Sequence, residues 1–115
     1  MTHTVDPDRE ARIGRFESMA FGLFLHWGLY SLIGKGEWAR FHHKMDPDAY
    51  TALMKDFTAE AFDAPELVRF AKKCGFRYIC MGSRHHDGFS LYDTRGLNSY
   101  DAPHAAAGRD LVREL

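Results

Sequence analysis

Two segments of the chain place ionisable side chains beside aromatic ones. The first is His26-Trp27-Gly28 with Glu37-Trp38 a short distance further on, and the second is Arg84–Phe89, with the sequence RHHDGF. Aromatic rings pack against the apolar side of a pyranose, while imidazoles and carboxylates bond its hydroxyl groups in fixed directions. These residue types therefore indicate a carbohydrate site.

Each of these candidates also has an ordinary structural interpretation. A lone histidine such as His26, at the end of an apolar run, is more often a satisfied core residue. Trp38 could be a packing residue, because large aromatic side chains are mostly buried. Glu37 could be a solvated carboxylate in a loop. The pair His42-His43 lies away from any predicted strand end, and we interpret it as structural or surface.

A metal site is the sharper competing hypothesis. His26, His85, His86 and Asp87 carry donor atoms that suit zinc or non-haem iron. However, adjacent side chains on a regular strand point to opposite faces, and the sequence has no helical H-x-x-x-H or H-x-x-E-H spacing. We therefore expect no metal and no cofactor.

Alternating strands and helices are predicted to position these segments. The apolar run Phe21–Trp27 is typical of a strand covered on both faces, and Phe76–Met81 is predicted as a second strand. Between them, Asp46-Pro47 predicts a helix start with Asp as N-cap and Pro in the first position. Asp63 begins another helix, which Gly75 ends.

Helical periodicity predicts which side chains these elements bury. The inward residues are Tyr50, Leu53 and Met54 on the first helix, and Leu67, Phe70 and Ala71 on the second. A short helix is expected within residues 1–15, a loop over residues 28–45, a polar loop from the second strand to His104, and a helix over 109–115.

Strands that alternate with helices imply parallel pairing through right-handed crossovers. The carboxyl ends of such strands share one side of the sheet, where function collects. A (β/α)8 barrel needs ~250 residues, so the 115 residues of this α/β chain would make up about a quarter to a half of a TIM-like barrel, with about two βα units. A smaller doubly wound sheet fits the same pattern.

Composition argues against several classes of partner. The 15 basic and 16 acidic residues are scattered and give a net charge of −1, so neither a nucleic acid nor a membrane surface is expected to bind. The first twelve residues have no signal-peptide core, and no stretch approaches the ~20 apolar residues of a membrane span. We expect a cytoplasmic protein in which Cys74 and Cys80 are reduced.

The motifs resemble a known family when they are taken together. FGLFLHWGLYS, GEW, FTAEAFDAPELVRFAKKCGFRYI and SRHHDGFSLYDT resemble the start of glycoside hydrolase family 29, the α-L-fucosidases, over Phe21–Leu115. The resemblance implies a retaining (β/α)8 enzyme that hydrolyses terminal α-L-fucosides of oligosaccharides or glycoconjugates. Residues 1–115 would then be the N-terminal fragment of its TIM-like barrel, a partial catalytic barrel domain with about the first two βα units. It also implies a fucose pocket lined by His26, Glu37, Trp38, His85 and His86.

No catalytic residue is assigned within the chain. The resemblance places the nucleophilic Asp and the acid/base Glu beyond residue 115, and Asp87 does not match the nucleophile motif. For both His85 and His86 to face one ligand, the backbone must leave the regular pleat near Arg84–Asp87, with Gly88 relieving the strain. The alternatives are a non-catalytic sugar-binding or scaffold fragment and a small histidine-rich metal-binding protein.

Overall fold

The computed structural model describes Asp6 and residues 8–115. The elements in chain order are α1 (Arg9–Met19), β1 (Gly22–Leu25), α2 (Ala39–His42), α3 (Pro47–Thr51), α4 (Ala64–Lys73), β2 (Tyr78–Met81) and α5 (Leu111–Glu114). Short 3-10 turns cover Leu29–Leu32, Ala52–Lys55 and Ala102–His104. None of the helices in this described part combines the length and the apolar character that crossing a membrane requires.

The two strands pair in parallel, as predicted. Gly22 lies opposite Tyr78 and Leu25 opposite Met81, so the segments that follow both strands leave from the same end of the sheet. Each strand is shorter than the apolar run that predicted it. The expectation that both faces of β1 are covered is wrong for Phe24, whose side chain is 63% exposed, because two strands and the helices around them leave part of the sheet uncovered.

A glycine allows a tyrosine ring to lie across the start of the sheet. A Cβ atom at Gly22 would meet the ring of Tyr78 at 2.1 Å. The ring of Phe16, on α1, packs on the same tyrosine with centroids 5.0 Å apart. The helix that was expected within residues 1–15 is α1, which begins at Arg9 and extends to Met19. Residues 1–5 and 7 lie outside the described part.

The predicted helix boundaries of α3 and α4 are confirmed by their hydrogen bonds. The carboxylate of Asp46 accepts from the Ala49 N–H at 2.9 Å, and that of Asp63 accepts from the Glu66 N–H at 2.8 Å. Gly75 follows α4 with φ of 85°, a left-handed conformation that favours glycine and ends a helix.

The predicted inward faces are confirmed in part. Tyr50 is fully buried, and Leu53 and Met54 pack against the core although they lie in a 3-10 turn after α3. On α4, Ala71 is buried but Phe70 is 56% exposed, so the prediction for Phe70 is wrong. The residues that α4 buries are Ala64 and Ala71, while the larger side chain of Phe70 lies at the surface.

The main core lies beneath the loops rather than between the sheet and α4. Its fully buried members are Leu29, Tyr50, Phe57, Phe89, Leu91, Ala102 and Leu111. Phe89, Leu91 and Ala102 belong to the segment that was predicted as a polar loop. The loops at the carboxyl ends of the strands are therefore held by the best-packed part of the molecule.

The remaining predictions concern single side chains. Trp27 packs on Phe57 and Phe62, with ring centroids 5.4 and 4.9 Å apart, which makes it a packing residue. Cys74 and Cys80 are free cysteines, and Cys74 is exposed while Cys80 is half-buried.

Candidate functional site

The side chains that follow the two strands meet at one end of the sheet. His26 comes directly after β1, and His85 follows β2 by a few residues. Their ring centroids lie 5.5 Å apart. Glu37, from the loop after β1, joins them: one ligand atom each from His26, Glu37 and His85 lies within 4.8 Å of the other two.

Trp38 and His86 complete this group. The Trp38 ring lies 3.9 Å from the His86 ring, with 34° between their planes, and meets the His85 ring edge-on at 5.9 Å. Part of one indole face is therefore covered by an imidazole, while the side chain remains 40% exposed. The structure thus brings together all five side chains that the sequence predicted for this site: His26, Glu37, Trp38, His85 and His86. We call them the five-residue cluster.

The two adjacent histidines face the same region because the backbone has left the sheet. β2 ends at Met81, and Gly88 has φ of 84°, so the predicted strand end near Arg84–Asp87 is confirmed. As a result His85 and His86 lie side by side, with their Nδ1 atoms 3.2 Å apart. This is hydrogen-bond distance, with the ring that carries its proton on Nδ1 as the donor and the other ring as the acceptor.

Asp87 holds this turn in place, a role that the sequence did not predict. Its carboxylate accepts from the buried Tyr50 hydroxyl at 2.6 Å and from the Phe89 N–H at 3.1 Å. Arg40 donates to the Asp87 carbonyl oxygen at 3.2 Å. One sequence feature could have indicated this role of Asp87. Tyr50 was predicted to point inward, and a buried tyrosine hydroxyl needs a hydrogen-bond partner.

The surroundings of His85 and Tyr30 favour the uncharged forms of these two side chains. Burial, followed by the neighbouring His86 and His26, lowers the pKa of His85 from its ordinary value of 6.5. A neutral imidazole offers one donor and one acceptor. Tyr30 packs against His85 with centroids 5.5 Å apart, and burial together with Asp87 and Glu37 raises its pKa to about 12. No feature of the sequence singled out Tyr30.

The second histidine pair lies outside the five-residue cluster. His42 and His43 lie at the end of α2, and both are exposed. His42 comes no closer to the cluster than a tilted contact with Trp38 at 6.4 Å between centroids. Both side chains are exposed, as the interpretation of this pair as structural or surface allows, and His42 lines the groove next to the cluster.

An open groove adjoins the five-residue cluster. It has a volume of about 650 Å³ and shares Glu37, Trp38 and His86 with the cluster, while Phe41 and Arg40 line its other parts. Phe41 is 72% exposed. The volume lies within the range of small-molecule sites, so the groove extends the surface that a ligand of more than one ring would meet.

The cluster suits a polyhydroxylated ring. Imidazoles and a carboxylate supply donors and acceptors in fixed directions, and an aromatic face lies among them. Glu37 is the carboxylate of the cluster, while that of Asp87 is engaged by Tyr50 and Phe89. Two parallel strands with a cluster of ionisable and aromatic side chains at their carboxyl ends define an α/β protein whose candidate site lies where parallel folds place their sites.

Comparison with known proteins identifies the family. The sequence profile of the α-L-fucosidases matches residues 2–115, and the chain belongs to this family, glycoside hydrolase family 29. A putative α-L-fucosidase of Caenorhabditis elegans is 32% identical, over 87% of this chain and 24% of its own length. The plasma α-L-fucosidase of Homo sapiens is 30% identical over 87% of this chain and 25% of its length.

Solved structures agree with the sequence comparison. The α-L-fucosidase isoenzyme 1 from Paenibacillus thiaminolyticus superimposes with a TM-score of 0.87 at 40% identity, over 92% of this chain and 25% of that one. A family 29 α-L-fucosidase from Bacteroides thetaiotaomicron gives a TM-score of 0.84 at 28% identity, over 96% and 26%. The chain thus spans about a quarter of the length of the relatives it matches and corresponds to the N-terminal portion of their catalytic domain.

Proposed function

We propose that the five-residue cluster is the fucose-contacting part of a retaining α-L-fucosidase, which hydrolyses terminal α-L-fucosides of oligosaccharides or glycoconjugates. The chain would supply about the first two βα units of a (β/α)8 barrel. The observation that carries the proposal is the convergence of residues from two separate strand ends on one cluster, with ligand atoms of His26, Glu37 and His85 within 4.8 Å of one another.

The side chains of the cluster divide the work of recognition. His26, Glu37, His85 and His86 bond the hydroxyl groups of the sugar, and neutral His85 is able both to donate and to accept. The Trp38 ring, supported by His86 at 3.9 Å, lies against the ring of the sugar. One relative, the α-L-fucosidase AlfC, supports this substrate class by what two of its structures contain. The Lactobacillus casei enzyme is in complex with its α-L-fucose product in one, and a variant of AlfC is in complex with an α(1,6)-linked fucosyl-GlcNAc disaccharide in the other.

The chemical step needs residues beyond this cluster. A retaining mechanism uses two carboxyl groups ~5–5.5 Å apart, one as nucleophile and one as acid/base. Here Glu37 is the carboxylate of the cluster and Asp87 holds the backbone, so we assign the nucleophilic Asp and the acid/base Glu to segments outside the chain. A matched Bacteroides thetaiotaomicron enzyme was trapped as a covalent intermediate with 2-fluoro-fucosyl fluoride, which is the intermediate of a retaining mechanism.

The 115-residue chain is accordingly expected to release no product from an aryl α-L-fucoside above the uncatalysed background. The measurement is release of the aryl group over time, with a full-length relative of the family as the positive control. Turnover that disappears in Glu37→Gln would contradict the assignment, because it would show that the catalytic carboxylates lie within the chain.

Binding tests the proposed recognition directly. In NMR titrations of the isotopically labelled chain, L-fucose is expected to shift the imidazole signals of His26, His85 and His86 and the indole N–H of Trp38. D-fucose has the same composition and the opposite handedness, so it is the matched control and should shift them much less. A dissociation constant on the order of millimolar corresponds to about −4 kcal/mol, which suits a partial pocket. Equal shifts with both enantiomers, or no shift with either, would refute the proposal.

A further inference from the structure

Three side chains of the cluster have the composition of a transition-metal site. His26 and His85 offer imidazole nitrogens, Glu37 offers a carboxylate oxygen, and the three ligand atoms lie within 4.8 Å of one another. Zinc in proteins binds nitrogen at about 2.0–2.1 Å and carboxylate oxygen at about 2.0–2.2 Å in tetrahedral geometry, which places neighbouring ligand atoms roughly 3.4 Å apart. Side-chain rotation has to close the difference of at most about 1.4 Å, and the exposed side of His26 leaves room for it.

We propose that His26, Glu37 and His85 form a binding site for a divalent transition metal such as Zn²⁺. The set differs from the histidine–aspartate group that the sequence suggested. Asp87 is excluded because Tyr50 and Phe89 occupy its carboxylate, and Glu37 takes its place. Two imidazoles and one carboxylate favour zinc and its neighbours over Mg²⁺ and Ca²⁺, which prefer oxygen ligands.

The neighbours of His85 favour this ligand role. Metal-binding histidines almost always donate their second ring N–H to a nearby acceptor, which fixes the tautomer. The Nδ1 atoms of His85 and His86 lie 3.2 Å apart, so the tautomer in which His85 Nδ1 donates leaves its Nε2 lone pair free.

Metal and sugar would share these three side chains. A metal ion bound here occupies the atoms that the proposed function assigns to sugar hydroxyls, so it acts as a competitor of the sugar and not as a cofactor. The metal proposal does not depend on the fucose proposal, because the site follows from the ligand atoms and their spacing alone.

Calorimetric titration of the 115-residue chain with ZnCl₂ tests the site. We expect one Zn²⁺ per chain, and MgCl₂ under the same conditions should give no comparable heat. His26→Gln, Glu37→Gln and His85→Gln should each weaken Zn²⁺ binding at least about tenfold, since losing even an outer partner of a metal ligand costs about 10- to 100-fold. Glutamine keeps much of the side-chain volume, and circular dichroism checks that each variant is folded.

Two controls address other donor atoms on the surface. His43→Gln is the matched variant, because His43 is exposed and lies outside the cluster, and Cys74→Ser removes the exposed thiol. Both should bind Zn²⁺ as the parent chain does. The proposal is overturned if the three cluster variants bind as tightly as the parent, if His43→Gln weakens binding equally, or if Zn²⁺ at ~1 mM gives no binding at all.

Discussion

The chain contains two pairs of adjacent histidines that meet very different surroundings. His85-His86 follows β2, leaves the sheet at a turn and contacts His26 and Trp38. His42-His43 ends the short helix α2 with both side chains exposed. The dipeptide is the same, so the residue types alone do not decide which pair belongs to a site.

What separates the pairs is the residue that follows. Asp87 comes directly after His86 and is held from two sides, by Tyr50 and by the Phe89 N–H. Lys44, which follows His43, has φ of 47° and lies on the surface. The buried carboxylate of Asp87 thus fixes the orientation of the histidine pair that precedes it. Substitutions at or next to His85-His86 should therefore affect stability and binding more than substitutions at His42-His43.

The largest effect is expected for Asp87→Ala. The substitution leaves the Tyr50 hydroxyl and the Phe89 N–H without an acceptor, and each buried unpaired donor costs about 1–3 kcal/mol. The free energy of unfolding, measured in urea, should fall by about 2–6 kcal/mol. Asp56→Ala, at an exposed position, is the control and should change it by less than about 0.5 kcal/mol. Equal losses in both variants would mean that Asp87 anchors nothing.

Tyr50→Phe tests the same anchor from the other side and should have a smaller effect. It removes the 2.6 Å hydrogen bond but leaves Asp87 its contact with the Phe89 N–H and keeps the buried ring. A hydrogen bond to a charged group contributes about 1.5–3 kcal/mol, and the urea-unfolding free energy should fall by that amount. The Nδ1–Nδ1 contact of His85 and His86 should loosen as well, which imidazole NMR signals would report. An unchanged stability would place the anchor elsewhere.

Fucose binding should distinguish the two histidine pairs. His86→Ala removes a proposed partner of a sugar hydroxyl and the support of the Trp38 ring, so affinity for L-fucose should fall at least about tenfold, or about 1.4 kcal/mol. His43→Ala should leave the affinity unchanged. The NMR titration with L-fucose measures both variants. If the two lose affinity equally, the assignment of the site to the anchored pair is wrong.

The smallest expected effect concerns pH. The pKa of His85 is lowered in the folded chain, chiefly by burial, so the unfolded chain binds the proton first as pH falls. The stability contribution of the neutral ring is therefore complete above pH 6.5 and is lost as pH falls through the lower folded value. Urea unfolding at a series of pH values should show a flatter dependence in His85→Gln than in the parent. Identical pH profiles would contradict the lowered pKa.

The sequence was most informative where local rules determine the structure. Asp46 and Asp63 marked two helix starts correctly, because an N-cap needs only its own neighbours. The parallel pairing of β1 and β2 followed from the alternation of strands and helices. The members of the five-residue cluster were implied by the family resemblance of motifs that lie at strand ends, where parallel folds place their sites.

The failures came from long-range packing. Phe24 and Phe70 have the apolar character of buried residues and are exposed, since burial depends on what the rest of a fold places against them. Conversely, Phe89 and Leu91 lie in a segment rich in polar residues and form part of the core. The anchor between Tyr50 and Asp87 joins residues 37 positions apart, and no local pattern in the sequence connects them.

The close approach of Tyr78 to Gly22 determines the register of the two strands, and through it the relative positions of the site residues that follow them. The ring fits only opposite a residue without a side chain, since a Cβ there would meet it at 2.1 Å, which fixes the alignment of β1 with β2. His26 and His85 lie fixed numbers of residues beyond that point. A slip of one position would displace one relative to the other by about 3.3 Å and reverse the faces of the shifted strand. An aromatic ring at the opposite end of the sheet thus sets the distance between two histidines that it never touches.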